Sequence, residues 1–150
     1  MQASIAWLVP LLFVIVFPLL WAGICFLLAA LSGWRGLAQR YRGRLSQVEG
    51  SVSMVSGGMG LISYRGVLNV QVSREGLGLS VLFLLAVGTP PLAIPWTAIT
   101  VHPRDRLLWM DRLRLRIDGT DLVLYGSGAR LVDEFCVRRF PQPETPALST

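Results

Sequence analysis

Arginine is the residue type whose placement in this chain could do chemistry. Arg112, Arg114 and Arg116 stand two apart with Leu113, Leu115 and Ile117 interleaved. A strand here points three guanidinium groups to one face and three apolar side chains to the other. Arg104 and Arg106 stand on the preceding turn and extend the patch. Such a face offers fixed positive charge to an anion, either a phospholipid headgroup or an acidic partner. The plainer reading is the solvated outer face of a barrel, partly neutralised by Asp105, Asp111 and Asp118. A second basic group, Arg35, Arg40, Arg42 and Arg44, follows a long apolar run, where it would meet an anionic membrane surface or simply fix topology. Trp96 and Trp109 are candidate anchors for a protein partner if their rings are exposed, and core residues if they are not.

Nothing else in the chain has the spacing that catalysis or metal binding needs. The one histidine, His102, sits before Pro103, and there is no CxxC, HxxH or HExxH. Gly126-Ser127-Gly128 lacks the frame of a nucleophile elbow, and Cys136 falls on the apolar face of an expected helix. Asp118 with Asp121, and Asp133 with Glu134, are placed where turns and helix starts favour acids anyway. The glycines of Gly57-Gly58-Met59-Gly60 are not followed by Lys-Ser/Thr, so no phosphate loop is read there. No catalytic residue, metal ligand or cofactor is expected, and the chain is read as a non-enzyme.

The elements that must position the arginines divide by charge. The chain has 150 residues, 53% hydrophobic and 15% charged. All 14 cationic residues and all nine carboxylates fall after position 34. Ile5 to Leu31 runs 27 residues without a charge. As a helix at ~1.5 Å per residue that is ~40 Å, more than the ~30 Å hydrocarbon core of a bilayer. Trp7 and Trp34 lie near its ends, at the level where indoles favour headgroups, while Trp21 does not fit that pattern. A cleaved signal is disfavoured because MQAS carries no basic residue and the apolar run is too long. The arginines after the run place the C-terminal part in the cytoplasm. Leu77 to Thr100 is also free of charge, but Gly88-Thr89-Pro90-Pro91 breaks it into halves too short to cross, so one span is expected.

Beyond the span, residues 35–49 read as a juxtamembrane helix interrupted at Gly43. Gly50 to Gly66 is either a flexible connection or a glycine-bulged strand, which leaves open whether it belongs to the folded domain. From Val67 the pattern is that of strands: Val67 to Ser73, Leu77 to Val87, Leu92 to Trp96, Ile99 to Val101, Leu107 to Met110, Arg112 to Ile117 and Asp121 to Tyr125. Asp118-Gly119 signals a hairpin between the last two. Leu131 with Phe135 and Val132 with Cys136 give a helix over Ala129 to Arg139, with Ser127 as its N-cap. The tail, residues 141–150, is Pro-rich and read as disordered.

Consecutive antiparallel strands closed by one helix, with GLGLS, the GTPP turn, IPWTAI and a DG hairpin, resemble small uncharacterised bacterial membrane proteins that carry one N-terminal span and a PH/GRAM-like β domain. The fold class expected is membrane-anchored α+β: one N-terminal transmembrane helix, then a small antiparallel PH-like β-barrel or bent sheet capped by a C-terminal helix. The organisation is 1–34 anchor, 35–66 juxtamembrane helix and Gly/Ser-rich connection, 67–140 β domain and 141–150 tail. The resemblance bears on the fold, since such proteins have no established activity to carry onto positions here; with the arginine flank, the chain is read as a bacterial inner-membrane protein, N-terminus outside. Its cytoplasmic domain would bind a membrane or cytoplasmic protein partner as an adaptor or complex subunit. The alternative is a module for anionic phospholipid using the arginine-rich strand face. Nucleic acid is not an expected partner, because no recognition helix or stacking platform accompanies the basic pI.

Overall fold

The charge-free N-terminal run forms one continuous helix, α1 (Gln2–Leu31), which continues through Pro10 and Pro18. The computed structural model describes residues 2–107 and 109–140, so the tail at 141–150 lies outside the described residues. Ile5–Leu31 is long and apolar enough to cross a membrane, and the rest of the chain leaves most of it uncovered. Every side chain from Ile5 to Trp21 is exposed, whereas Cys25 and Ala29, four apart on one helix face, are buried against the β domain.

The chain turns at Gly33, whose φ of 78° favours glycine, into α2 (Trp34–Tyr41). Trp34, expected at the headgroup level, is instead fully buried. Its indole N–H donates to the Pro90 carbonyl at 2.8 Å, and its ring meets Tyr64 edge-on. A buried indole needs such an acceptor. The helix expected over 35–49 is shorter and ends at Tyr41. Arg42 is extended and bridges Leu92, and the Gly43 N–H donates to the Pro91 carbonyl at 3.0 Å.

The strands are β1 (Gly50–Met59), β2 (Ile62–Val72), β3 (Gly76–Val81), β4 (Leu92–Pro95), β5 (Ile99–Val101), β6 (Asp105–Leu107), β7 (Met110–Ile117) and β8 (Thr120–Tyr125). They form one antiparallel sheet in the order β4-β3-β2-β1-β8-β7-β5, with β6 as a short arm on β7. The two ends of that order, β4 and β5, are neighbours in the sequence. The 3₁₀ turn Trp96–Ala98 alone joins them, and ~3 residues reach no more than ~10 Å. The sheet must therefore curl until its edges nearly meet. Helix α3 (Ser127–Arg139) lies against β1, β7, β8 and β2. Ala129 and Val132 of α3 join Val55, Leu68, Val70, Leu113, Leu115, Leu122 and Leu124 in the core.

Of the two readings of Gly50 to Gly66, the bulged strand is the one found. β1 shifts register between Val52 and Val55 and again before Gly57, with Met54 at φ 58° in the bulge. The bend lets Gly57 to Met59 pair with β2 on one side and β8 on the other. A side chain at Gly57 would meet the Val123 carbonyl at 2.8 Å and Leu68 at 2.9 Å, which explains glycine in a sheet interior.

Three further expectations change. The strand expected over Leu77 to Val87 stops at Val81; residues Phe83–Leu85 form a 3₁₀ turn instead, because Gly88 and Pro90-Pro91 must bring the chain back beside α1. Met110 opens β7 rather than closing a separate strand, and Trp109 falls in the turn after β6. Ser127 is the first residue of α3 and makes no side-chain cap; Gly126, at φ 61°, holds the N-cap position. The hairpin at Asp118-Gly119 is found as expected, with both residues at positive φ.

At Gly76 a Cβ would lie 2.1 Å from the Ile94 carbonyl oxygen, so β3 and β4 would have to part. Gly36, on α2, faces open space. Gly76→Ala is expected to destabilise the detergent-solubilised protein by about 3 kcal/mol, and Gly36→Ala to stabilise it by about 0.5 kcal/mol. Thermal melts followed by circular dichroism check both; equal melting points would contradict the β3–β4 packing.

Candidate functional site

Strand β7 alternates as its sequence requires. Leu113, Leu115 and Ile117 are fully buried, while Arg114 and Arg116 are exposed and Arg112 is half-buried on the opposite face. The face is interleaved with acid. Arg112 pairs with Asp105 at 3.5 Å, Arg116 with Asp121 at 3.8 Å, and Arg104 with Asp133 at 3.2 Å and Asp111 at 4.0 Å. Arg130, on α3, also reaches Asp111 at 3.4 Å. Exposed pairs of this kind contribute about 0–1 kcal/mol each, but they reduce the field that an incoming anion would meet. Among the described residues Arg114 makes no ion pair. The side chain of Arg106 lies outside the described residues. Asp118, expected to neutralise this face, instead accepts hydrogen bonds from the Tyr41 hydroxyl and from Arg40 at 3.2 Å, fastening α2 to the hairpin. The Tyr41 hydrogen bond, with help from Arg40, holds the Asp118 carboxyl below its usual range.

The arginines that follow α1 are also separated by the fold. Arg35 lies over the Phe26 ring at 4.1 Å, Arg40 pairs with Asp118, and Arg42 and Arg44 are exposed.

The two tryptophans part company. Trp109 is 85% exposed in the β6–β7 turn, at the end of β7 away from α2. Trp96 is half-buried. Its indole N–H donates to the Ser73 carbonyl at 2.8 Å, and its ring stacks on Phe135 and meets Phe140 edge-on. Its other surroundings form a groove of about 490 Å³ between β5 and α3. Ile99, Val101, His102 and Pro103 line one side, and Asp133, Cys136, Val137 and Phe140 the other.

The β5 side of this groove has unusual backbone. The His102 N–H donates to the Arg114 carbonyl, and Thr100 faces Arg116 in the same register. In an antiparallel ladder the alternate residues, Ile99 and Val101, then point their N–H and C=O groups away from β7. The Ile99 N–H is taken by the Trp96 carbonyl. Among the described residues, the N–H and C=O of Val101 and the C=O of Ile99 find no backbone partner and remain on an open edge. The opposite edge, on β4, is met at its Leu92 end by Arg42 and Gly43. An open strand edge beside an apolar groove can take up an extended segment, through backbone hydrogen bonds for affinity and alternate side chains for specificity.

Sequence reasoning named Trp96 but missed Val101, Val137 and the edge. A three-residue strand stopped by Pro103 was the available signal. No group of three or more His, Cys, Asp or Glu that could hold a metal occurs among the described residues. No family model matches the chain, and no curated protein or solved structure is significantly similar to it.

Burial, and secondarily the charge of Asp133, push the Cys136 thiol up to about 11. The thiolate is the disfavoured form, so reactivity rises only as pH approaches that value. With Cys25 replaced by alanine, alkylation at pH 8 should run roughly 100-fold slower than for an ordinary exposed thiol. Mass spectrometry of a maleimide time course checks this; labelling at the ordinary rate would contradict the packing of α3 on the groove.

Proposed function

We propose that the chain is a single-pass bacterial inner-membrane protein, N-terminus outside. Its cytoplasmic pleckstrin-homology-like domain binds a protein partner as a non-catalytic adaptor or complex subunit. What carries this is the open edge of β5 beside the apolar groove, since both halves of a strand-docking site stand together there. The pleckstrin-homology-like assignment draws on the strand order: a meander β1 to β4, then β5 to β8 returning to pair with β1, and a helix closing the open end. The anchor draws on α1, whose apolar surface is left mostly uncovered by the described residues, and the orientation on the arginines that follow it. The alternative, an anionic phospholipid reader on the arginine face, has in its favour Arg114, without an ion pair among the described residues, and the interleaved carboxylates against it.

Val101→Pro tests the docking edge cleanly. It removes the outward N–H while leaving the ladder to β7, which runs through Thr100 and His102. Proteins crosslinked to the full-length chain in native membranes should be recovered about tenfold less with the proline variant, at an unchanged melting point. Unchanged recovery from a folded variant would refute the β5 edge as the docking site.

A further inference from the structure

The charge-free stretch Leu77 to Thr100 is more apolar than its share of the core requires. β3 and β4 account for two parts of it, but between them four apolar side chains are exposed: Phe83 is 81% exposed and Leu84 58%, with Leu82 and Val87 also exposed. Single exposed apolar residues are ordinary, whereas a contiguous group marks an interaction surface.

This group lies alongside α1. The Trp21 indole N–H donates to the Leu84 carbonyl at 3.3 Å, and Gly88 packs against Phe26 and Ala29. The apolar surface of the loop is therefore continuous with that of the helix. The loop's carbonyls are also provided for. Leu82 accepts from the Leu85 N–H, Phe83 from Ala86, Leu84 from Trp21, Leu85 from the Thr89 hydroxyl and Ala86 from the Thr89 N–H. Five consecutive loop carbonyls bonded within the protein meet the acceptor half of what a segment in contact with hydrocarbon needs, since lipid supplies no donors.

We infer that the β3–β4 loop is a second membrane-contacting element, inserting Phe83 and Leu84 into the bilayer beside α1. This rests on the reading of α1 as a span. About 20 residues, Ile5 to Ile24, cross a ~30 Å hydrocarbon core, and Trp21 then lies about 5 Å inside the boundary. The loop reaches the same depth. Arg35 and Arg42, on the cleft beside Ala86 and Pro90, stand at its headgroup side. Trp21, which fits no headgroup belt at the end of a 27-residue span, acquires a role as the donor that satisfies the loop.

The test uses the full chain in phosphatidylcholine–phosphatidylglycerol vesicles, with Cys25 and Cys136 replaced by alanine. A polarity-sensitive fluorophore is placed at Phe83→Cys, at Val14→Cys in the middle of α1, or at Ser51→Cys on β1. Nitroxides are placed at shallow or deep positions on the acyl chains. The expected result is a blue-shifted probe at 83 quenched by shallow nitroxides, a probe at 14 quenched by deep ones, and a probe at 51 quenched by neither. Quenching at 14 with a water-like, unquenched probe at 83 overturns the inserted loop and leaves the span standing. No quenching at 14 or 83 overturns the span and the inserted loop with it.

Discussion

The rest of the structure depends on the docking of the last turns of α1 onto the β domain. Cys25 and Ala29 on α1 and Trp34 on α2 are each buried, and the indole of Trp34 is tied to the backbone at Pro90. A helix free to swing on a linker would need no such contacts. Because they exist, the length of α1 divides into an uncovered part that matches a hydrocarbon core and a covered part that belongs to the domain. The same contacts hold the loop between β3 and β4 at the side of the helix.

Sheet closure follows a second constraint, the accounting of strand edges. An open edge is a template for pairing, and proteins cover or interrupt most of them. Here the curl imposed by Trp96–Ala98 brings β4 and β5 together without pairing them. Arg42 and Gly43 meet the β4 edge at its Leu92 end, immediately after α2. The β5 edge has no equivalent cover among the described residues, and α3 borders it with Cys136 and Val137 rather than filling the space. The domain thus meets one edge with its own chain and leaves the other beside an apolar groove, and the proposed docking of a partner's backbone rests on that difference.

Much of this was legible in the sequence where one physical rule acted alone. The alternation Arg112 to Ile117 and the positive-φ turn at Asp118-Gly119 needed only strand periodicity and turn chemistry. The rest depended on tertiary partners. Gly50 to Gly66 could be read as a connection or as a bulged strand, because the reason for glycine at position 57, the room it leaves for Val123 and Leu68, exists only in the fold. Trp34 looked like a headgroup anchor until the carbonyl of Pro90, 56 positions away, was seen to accept its proton. Phe83 to Val87 looked like strand because an apolar run carries no mark of what it will touch. The arginine face was correctly placed on one side of β7, yet its acids come from the β6 arm, β8 and α3 as well as from β7 itself, and so its net field could not be read along one strand.

Site-specific photo-crosslinking in intact native membranes tests the central claim most directly, with the photoreactive residue placed in turn at Val101, Val137 and Arg114. A partner seated in the groove gives a protein adduct of the same mass from positions 101 and 137 and none from 114. Adducts from Arg114 alone, or lipid adducts only, would contradict the groove as the working surface of this domain.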